Sequence, residues 1–283
     1  MIENNINSGS CVTAESNRNI IDFSQIIGHI EVKERVLSVL AACVSGDKER
    51  EEYLKRIGAH NSKGILLYSK PGLGKTEVLR AIERSLKNHP LIEAEYLPGS
   101  LFQGTAGKNS KMIESTFDRA RKTKKMVFLM LLDEIDSIMM KKRGMLNVSE
   151  RTNALLAEMD GMKDSSNIVI IATTNRIKNI EDAVLSRFKT FITLQAPEEP
   201  ERLEFISKFI SPIKFDKPYD EAILARDTKG FTGRNFRDIG SYLIDIQAIT
   251  HAPVPTSTLI IEVNKYMARA AVVRNTIDME DGD

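Results

Sequence analysis

The sequence predicts an α/β fold in which helices cover a parallel sheet, followed by a small all-helical domain. Three apolar runs predict the sheet, because each is short and lacks polar alternation, as strands buried on both faces do. They read GILLYS from Gly64, MVFLMLL from Met126 and NIVIIATT from Asn167. Amphipathic patterns between the runs predict the covering helices. The helix after the first run is expected to bury Val78, Leu79, Ile82 and Leu86.

The first apolar run leads into SKPGLGKT, which nearly matches the phosphate-binding pattern of Gly, four residues, then Gly-Lys-Ser/Thr. Ser69 stands where the pattern has its first glycine, and a small side chain can serve at that turn. The order strand, glycine-rich loop, helix directs backbone N–H groups and a helix N-terminus towards an anion, which a plain turn would not explain. The residues expected to bind the nucleotide are Pro71, Gly72, Leu73, Gly74, Lys75, Thr76 and Glu77. Lys75 is expected at the β- and γ-phosphates and Thr76 at Mg²⁺.

Polar residues end the second and third apolar runs. Asp133 and Glu134 follow the second run, and Asn175 follows the third. Ligands of open parallel sheets bind at the carboxyl ends of the strands, so these side chains are expected at one site. We predict that Asp133 holds Mg²⁺, that Glu134 polarises the attacking water, and that Asn175 orients this water.

Composition bounds the remaining possibilities. The chain has 283 residues, of which 42% are hydrophobic and 28% charged, and its net charge of +1 gives no general attraction to nucleic acid or anionic membranes. Cys11 and Cys43 form neither a disulfide framework nor a metal spacing, which fits a reducing compartment. No apolar run approaches the ~18 residues of a membrane span. We therefore expect a cytoplasmic protein with no membrane span, and residues 1–21 are expected to form a disordered arm.

From Asp22 to its end, the chain resembles the AAA ATPases in segments that follow the family's order. Besides the loop and the acids, they are DFSQIIGHIEVKERV from Asp22, NALLAEMDGM from Asn153, EDAVLSRFKTFITLQAPEEPER from Glu181 and TKGFTGRNFRDI from Thr228. The resemblance implies ATP and Mg²⁺ as cofactors and adenine contacts near Ile27 and Gly28. It also implies that the Asp-Gly pair in the second segment signals between subunits. The third segment is similar to the form found in spastin and katanin.

The resemblance implies one arginine finger. Spastin-like relatives carry two adjacent arginines before the phenylalanine, whereas this chain has Ser186 and Arg187 there. Arg187 is therefore expected to reach the nucleotide of a neighbouring subunit and to stabilise charge on the transferring phosphoryl group.

The segment that resembles the family's pore loop lacks an aromatic residue. Thr105, Ala106 and Gly107 align with the triplet that holds polypeptide in family unfoldases, and Phe102 lies three residues earlier, where it can belong to the core. The loop is similar to that of rubisco activases. Aromatic side chains supply most of the contact area at such surfaces, so we expect this loop to hold polypeptide weakly and the protein to remodel its substrate locally without threading it.

Two basic features leave alternatives open. Arg234 is expected in the first turn of a helix capped by Thr232, where it either contacts the γ-phosphate or is solvated. The run DRARKTKK from Asp118, with KKR from Lys141, is either the cationic end of a helix or a patch for nucleic acid or an acidic partner.

The sequence therefore predicts a large α/β nucleotide-binding domain at 22–196 and a small helical domain at 197–283, with Pro197 and Pro200 interrupting any helix at the junction. The expected function is ATP hydrolysis in a ring, in the form of a hexamer of identical chains, which remodels a protein or protein assembly. The alternatives are an ATPase that acts with nucleic acid, such as a helicase loader, and a nucleotide-switched scaffold with little turnover.

Overall fold

The computed structural model describes residues 23, 26–45, 52–53, 56, 64–102, 106–136, 150–161 and 167–280. The chain forms two compact units. The first contains the described residues up to Lys70 and from Lys75 to Thr193, and the second contains Pro71–Gly74 and the residues from Leu194 onwards. Residues 1–21, Thr105 and the KKR segment from Lys141 lie outside the described residues, so the expectations about them stay predictions.

The described part of the first unit is built on a sheet of five parallel strands in the order β2-β3-β4-β1-β5. The strands are β1 Gly64–Tyr68, β2 Ile92–Leu97, β3 Val127–Leu132, β4 Ile168–Thr174 and β5 Thr190–Thr193. The three predicted runs form the central strands β3, β4 and β1 and are almost wholly buried. The edge strands β2 and β5 were not predicted, because their partly exposed residues lack the continuous apolar run of a central strand.

Helices pack on this sheet, as the sequence predicts. They are α1 Ile30–Val44, α2 Lys75–Leu86, α3 Ala106–Lys122, α4 Glu150–Gly161 and α5 Asp182–Leu185. Short 3₁₀ turns occupy Gly99–Phe102 and Ile177–Asn179. The predicted inner face of α2 is buried in full, and α1 buries Val32, Val36, Val39 and Leu40. The fold class, a phosphate-loop α/β sheet followed by a helical region, is confirmed.

In its described residues, the second unit contains four helices with a core of their own. They are α6 Glu199–Phe209, α7 Glu221–Asp227, α8 Gly233–Thr250 and α9 Thr256–Glu280. Gly240 lets α8 approach α6 closely, since a Cβ atom there would lie 2.4 Å from the backbone oxygen of Phe209. The guanidinium of Arg202 is buried and donates to the carbonyls of Ala225 at 2.6 Å and Pro197 at 2.7 Å. The first bond joins α6 to α7, and the second joins α6 to the segment that precedes it.

The junction segment differs from expectation in one respect. Pro200 does not interrupt a helix but lies in the first turn of α6, with Glu198 as N-cap. Proline is tolerated there because the first helical N–H groups have no intrahelical partner. None of the helices in the described part of the chain combines the length and apolar character that crossing a bilayer requires.

Candidate functional site: a phosphate-binding loop and strand-end acids

The loop between β1 and α2 has the backbone of an anion-binding turn. Gly72 and Gly74 have φ values of 89° and 88°, a left-handed conformation that glycine adopts without strain. A Cβ atom on Gly72 would meet nothing within 4 Å, so backbone conformation, not space, requires glycine there. The helix α2 starts at Lys75, and Thr76 is exposed in its first turn. Its first N–H groups have no intrahelical acceptor, which suits a bound phosphate.

Lys75 is buried, with 6% of its surface exposed, and its ammonium group donates three hydrogen bonds. The acceptors are the backbone oxygen of Ser69 at 2.9 Å, its Oγ at 2.7 Å and the backbone oxygen of Lys70 at 3.0 Å. Burial lowers the pKa of Lys75, while the charges of Asp133, Asp136 and Glu134 oppose this shift. The serine that replaces the pattern's first glycine is therefore a direct partner of the lysine.

The acid Asp133 is fixed from both neighbouring strands. Its Oδ2 accepts from the hydroxyl of Tyr96 on β2 at 2.7 Å, and its Oδ1 accepts a short hydrogen bond from the hydroxyl of Thr173 on β4. Only 5% of Asp133 is exposed. Burial, followed by the hydrogen bond to Asp133, raises the pKa of Tyr96 to about 12, so its phenol remains a donor at neutral pH.

Glu134, next in the chain, is exposed and has a left-handed backbone with a φ of 52°. Its backbone N–H donates to the hydroxyl of Thr173 at 3.0 Å. Few residues other than glycine, asparagine and aspartate adopt this conformation, and at functional sites it is held in place by surrounding bonds.

Asn175 follows β4 directly, as predicted, and is half-buried. Its backbone N–H donates to Oδ1 of Asp136 at 3.4 Å, and the hydroxyl of Thr174 donates to the same oxygen at 3.0 Å. The third acid after β3 thus connects the ends of two neighbouring strands.

Arg187 is bound within its own chain. Its Nε and Nη2 donate to the two carboxylate oxygens of Asp160 at 3.2 and 2.8 Å, and its Nη1 donates to Ser186 Oγ and to the backbone oxygen of Ala183, each at 2.9 Å. Asp160 is the acid of the Asp-Gly pair that the resemblance assigns to signalling between subunits.

The other predicted nucleotide contacts lie apart in the chain. Ile27 and Gly28 precede α1, where Gly28 has a φ of 69°. Arg234 is exposed in the first turn of α8, and Thr232 caps this helix as predicted, donating its N–H and hydroxyl to Asn235 Oδ1 at 2.8 and 2.9 Å. Ala106 and Gly107 belong to the first turn of α3. The roles of these residues stay predictions.

The chemistry of the site fits Mg²⁺ bound together with a nucleotide. Within the described ranges, no group of three or more His, Cys, Asp or Glu residues could hold a metal ion by itself. Mg²⁺ does not require such a group, because it retains water and binds through one or two carboxylates and the substrate phosphates. Each oxygen of Asp133 accepts one hydrogen bond and keeps a lone pair, and Thr76 offers an exposed hydroxyl.

Three residues of this site were missed by reasoning from the sequence: Tyr96, Asp136 and Thr173. Tyr96 lies on an unpredicted strand, and Thr173 looks like an ordinary strand residue. Asp136 carried a signal, because the acids at 133, 134 and 136 form one DEID group of which only the first two were given roles.

A parallel sheet with a glycine-rich loop after one strand and acids after another defines the class of phosphate-loop nucleoside triphosphatases. Within that class, the sequence model of the ATPase family associated with various cellular activities (AAA) matches residues 65–196. The chain belongs to this AAA family, as the sequence resemblance implies. The family is one of ATPases, which is the predicted enzyme class.

Similar proteins extend the match beyond these residues. The chain is 32% identical to the ATP-dependent zinc metalloprotease FtsH of Ureaplasma parvum, over 77% of this chain and 30% of that protein. It is 31% identical to a putative 26S proteasome regulatory subunit homologue of Methanocaldococcus jannaschii, over 76% of this chain and 56% of that protein. It is 32% identical to the proteasome-activating nucleotidase of Sulfurisphaera tokodaii, over 66% and 48%. The aligned parts thus span about a third to just over half of these relatives.

Proposed function

We propose that this chain binds Mg²⁺ and ATP and hydrolyses ATP to ADP and phosphate. The observation that supports this most directly is the cluster of charges around Lys75. The acids after β3 lie close enough to this lysine to oppose the lowering of its pKa by burial. Phosphoryl transfer to water requires a cation at the phosphates, an acid that binds the metal and an acid that activates water.

Each residue has a distinct role in the proposal. Lys75 binds the β- and γ-phosphates, which requires it to exchange at least one of its three acceptors. Thr76 and Asp133 hold Mg²⁺, which supplies positive charge to the phosphate oxygens. Glu134 takes up the proton of the attacking water, and Asn175 orients that water. Arg187 acts on the nucleotide of the next subunit.

The test is phosphate release at saturating ATP, compared with ATP affinity measured by titration calorimetry. Glu134→Gln is expected to bind ATP as the wild type does and to lose hydrolysis, because the amide cannot accept the proton. Glu114→Gln is the matched control, since Glu114 is exposed on α3 and has no proposed role. If Glu134→Gln hydrolyses ATP near the wild-type rate, another residue activates water.

We further propose that the chain assembles into a ring, in the form of a hexamer, and remodels a protein or protein assembly in the cytoplasm. The similarity to FtsH, a protease, and to ATPases of the proteasome supports protein substrates. We do not propose the protease activity of FtsH for this chain, because no His-Glu-x-x-His motif occurs in it. Light scattering with ATP measures the oligomer, and a pull-down with Glu134→Gln is expected to retain the substrate on ATP-bound rings.

A nucleic-acid substrate is not favoured. In the basic run from Asp118, Arg119 pairs with Glu95, and Arg121 pairs with Asp118 and Glu158. Lys125 donates to the backbone oxygens of His89 and Pro90. These cations are thus engaged within the first unit, which supports the interpretation of the run as a helix end. Stimulation of the ATPase by DNA with a steep salt dependence would reverse this preference.

The proposed remodelling proceeds by local rearrangement instead of threading a stable domain. The predicted loop residues Thr105, Ala106 and Gly107 include no aromatic side chain. A small domain is stable by roughly 5–15 kcal/mol, so a threading ring must hold the chain firmly between steps. ATP-dependent unfolding of a fluorescent domain fused to a substrate tail, abolished by Phe102→Ala and unaffected by Thr105→Ala, would contradict this part of the proposal.

A further inference from the structure

We propose that Thr173 is a positioning residue for ATP hydrolysis, whose hydroxyl fixes Asp133 and Glu134 relative to each other. The inference rests on the proposed function for the roles of the two acids. It concerns the penultimate residue of β4, which has no exposed surface.

The hydroxyl of Thr173 bonds to both acidic residues at once. It donates its single proton to Oδ1 of Asp133 and accepts the backbone N–H of Glu134 at 3.0 Å. A hydroxyl has one donor and two acceptor sites, so the two bonds are compatible and use different parts of the group. Because a carboxylate can only accept, the proton must lie towards Asp133 and a lone pair towards Glu134.

The backbone of Thr173 adds a third bond to the same turn. Its carbonyl oxygen accepts the N–H of Ile135 at 2.9 Å, so two successive N–H groups of the chain leaving β3 donate to one residue. Between them lies the left-handed conformation of Glu134, with a φ of 52°. A non-glycine residue persists in this region only where its surroundings hold it there. The two backbone N–H bonds to Thr173 hold Glu134 in this conformation.

The other side of Asp133 is fixed independently. Tyr96 donates to Oδ2, and the guanidinium of Arg80 lies over the Tyr96 ring, 4.7 Å from its centre. The Tyr96 N–H in turn donates to Oε1 of Glu83 at 3.1 Å. The carboxylate of Asp133 is thus held by hydroxyls from strands on both sides of β3. Of these two hydroxyls, only that of Thr173 also bonds to Glu134, which distinguishes its effect from that of Tyr96.

Loss of the Thr173 hydroxyl is therefore expected to affect turnover more than nucleotide binding. The binding loop and Lys75 keep all their described bonds, whereas the turn that carries Glu134 loses one of its two restraints. A displacement of the order of 1 Å at a catalytic group can cost about 100-fold in rate. We expect Thr173→Val to lower kcat roughly 10- to 100-fold with ATP affinity within about 3-fold of the wild type.

Three variants separate this role from a structural one. Thr173→Val keeps the shape of the side chain without the hydroxyl, and Thr173→Ser keeps the hydroxyl without the methyl group. Thr116→Val is the control, because Thr116 is also buried but its hydroxyl donates within its own helix, to the backbone oxygen of Met112 at 2.9 Å. If Thr173→Val does not fold, Thr173→Ala is used and compared with the same serine variant.

The experiment measures kcat, KM for ATP, ATP affinity by calorimetry, and hydrogen exchange of the Glu134 amide by NMR on the nucleotide-free full chain. The expected result is a fall in kcat and faster Glu134 exchange in Thr173→Val, recovery of both in Thr173→Ser, and neither change in Thr116→Val. Wild-type kcat in Thr173→Val, or no recovery with serine, would overturn the proposal. A wild-type chain without ATPase activity would contradict the proposed function, and the exchange rates would still decide whether Thr173 holds Glu134.

Discussion

The guanidinium of Arg187 binds the carboxylate of Asp160 through two parallel hydrogen bonds of 3.2 and 2.8 Å within one chain. The resemblance to AAA ATPases implies that both residues act towards neighbouring subunits. A trans role for Arg187 therefore requires this ion pair to open, or to be shared, when subunits assemble. The side chains of Arg187 and Asp160 are 32% and 42% exposed, so breaking this pair costs little free energy.

The first prediction concerns the strength of this pair. We expect Asp160→Asn to lower the free energy of unfolding by less than about 1 kcal/mol, because partly exposed ion pairs typically contribute about 0.2–1 kcal/mol. Urea denaturation of the nucleotide-free chain measures it. Asp227→Asn is the control, since it removes another exposed ion pair by the same substitution, with Arg226 in α7. A loss of several kcal/mol would mean that the pair is structural and does not readily release Arg187.

The second prediction tests Arg187 between subunits. Arg187→Ala chains and Glu134→Gln chains are each expected to be inactive, and mixing them is expected to restore part of the ATPase activity. A mixed ring brings an intact Arg187 against an intact Glu134 at some interfaces, because the two belong to different chains at one site. Phosphate release is measured under conditions in which subunits exchange, with light scattering to verify mixed rings. No recovery in such rings would contradict the trans role.

The third prediction concerns the loop lysine. Lys75→Ala is expected to weaken ATP binding roughly 30-fold or more, because removing one member of a buried charge pair costs about 2–5 kcal/mol. Calorimetric titration with ATP measures this change. Lys87→Ala, at an exposed lysine just beyond α2, is expected to bind ATP as the wild type does. Equal affinity in the Lys75 variant would contradict the assignment of the loop.

The fourth prediction is that the free energy of unfolding depends on pH because of His89. Its Nδ1 accepts the N–H groups of Leu91 and Ile92 at 3.2 and 3.1 Å. Burial, followed by the nearby charge of Lys125, lowers the pKa of His89 below its usual 6.5. As pH falls through 6.5, the unfolded chain takes up this proton and the folded chain resists it. The free energy of unfolding is therefore expected to fall below about pH 6.5.

Two variants test the origin of that dependence. His89→Asn keeps an oxygen that can accept the same backbone N–H groups but does not titrate, so it should remove the His89 contribution. His251→Asn is the matched control, because it makes the same substitution at an exposed histidine at the end of α8. Denaturation between pH 5 and 8 is compared for the three chains. If the free energy of unfolding of His89→Asn falls with pH as steeply as that of the wild type, groups other than His89 cause the pH dependence.

The fifth prediction concerns the contact between α6 and α8. Alanine is favoured over glycine by about 1 kcal/mol inside a helix, yet Gly240→Ala is expected to destabilise the second unit by about 1–3 kcal/mol. The reason is the 2.4 Å approach of the new Cβ to the backbone oxygen of Phe209. Ser241→Ala, one residue further on an exposed position of α8, should be neutral or slightly stabilising. Greater stability in Gly240→Ala would contradict this close packing.

The sequence predicted those parts of the site that depend on local pattern. The loop from Ser69 to Thr76 has a fixed spacing, and the acids after β3 follow an apolar run that can only be a buried strand or helix. The contacts of Tyr96 and Thr173 with Asp133 depend instead on which strands are neighbours and in what register. Leu97 pairs with Leu132 and Leu132 with Ala172, and this alignment of β2, β3 and β4 arises only in the folded sheet.

The left-handed backbone at Glu134 brings stability and activity into conflict. The residues that this φ angle favours are not the residue that the proposed reaction needs. Glycine adopts that angle freely and asparagine more readily than glutamate, so either residue would relieve strain there. A library of variants selected only for resistance to heat would enrich glycine or asparagine at position 134. The enriched clones would lack the carboxylate that the proposed reaction needs, as expected where a functional residue occupies an unfavourable conformation.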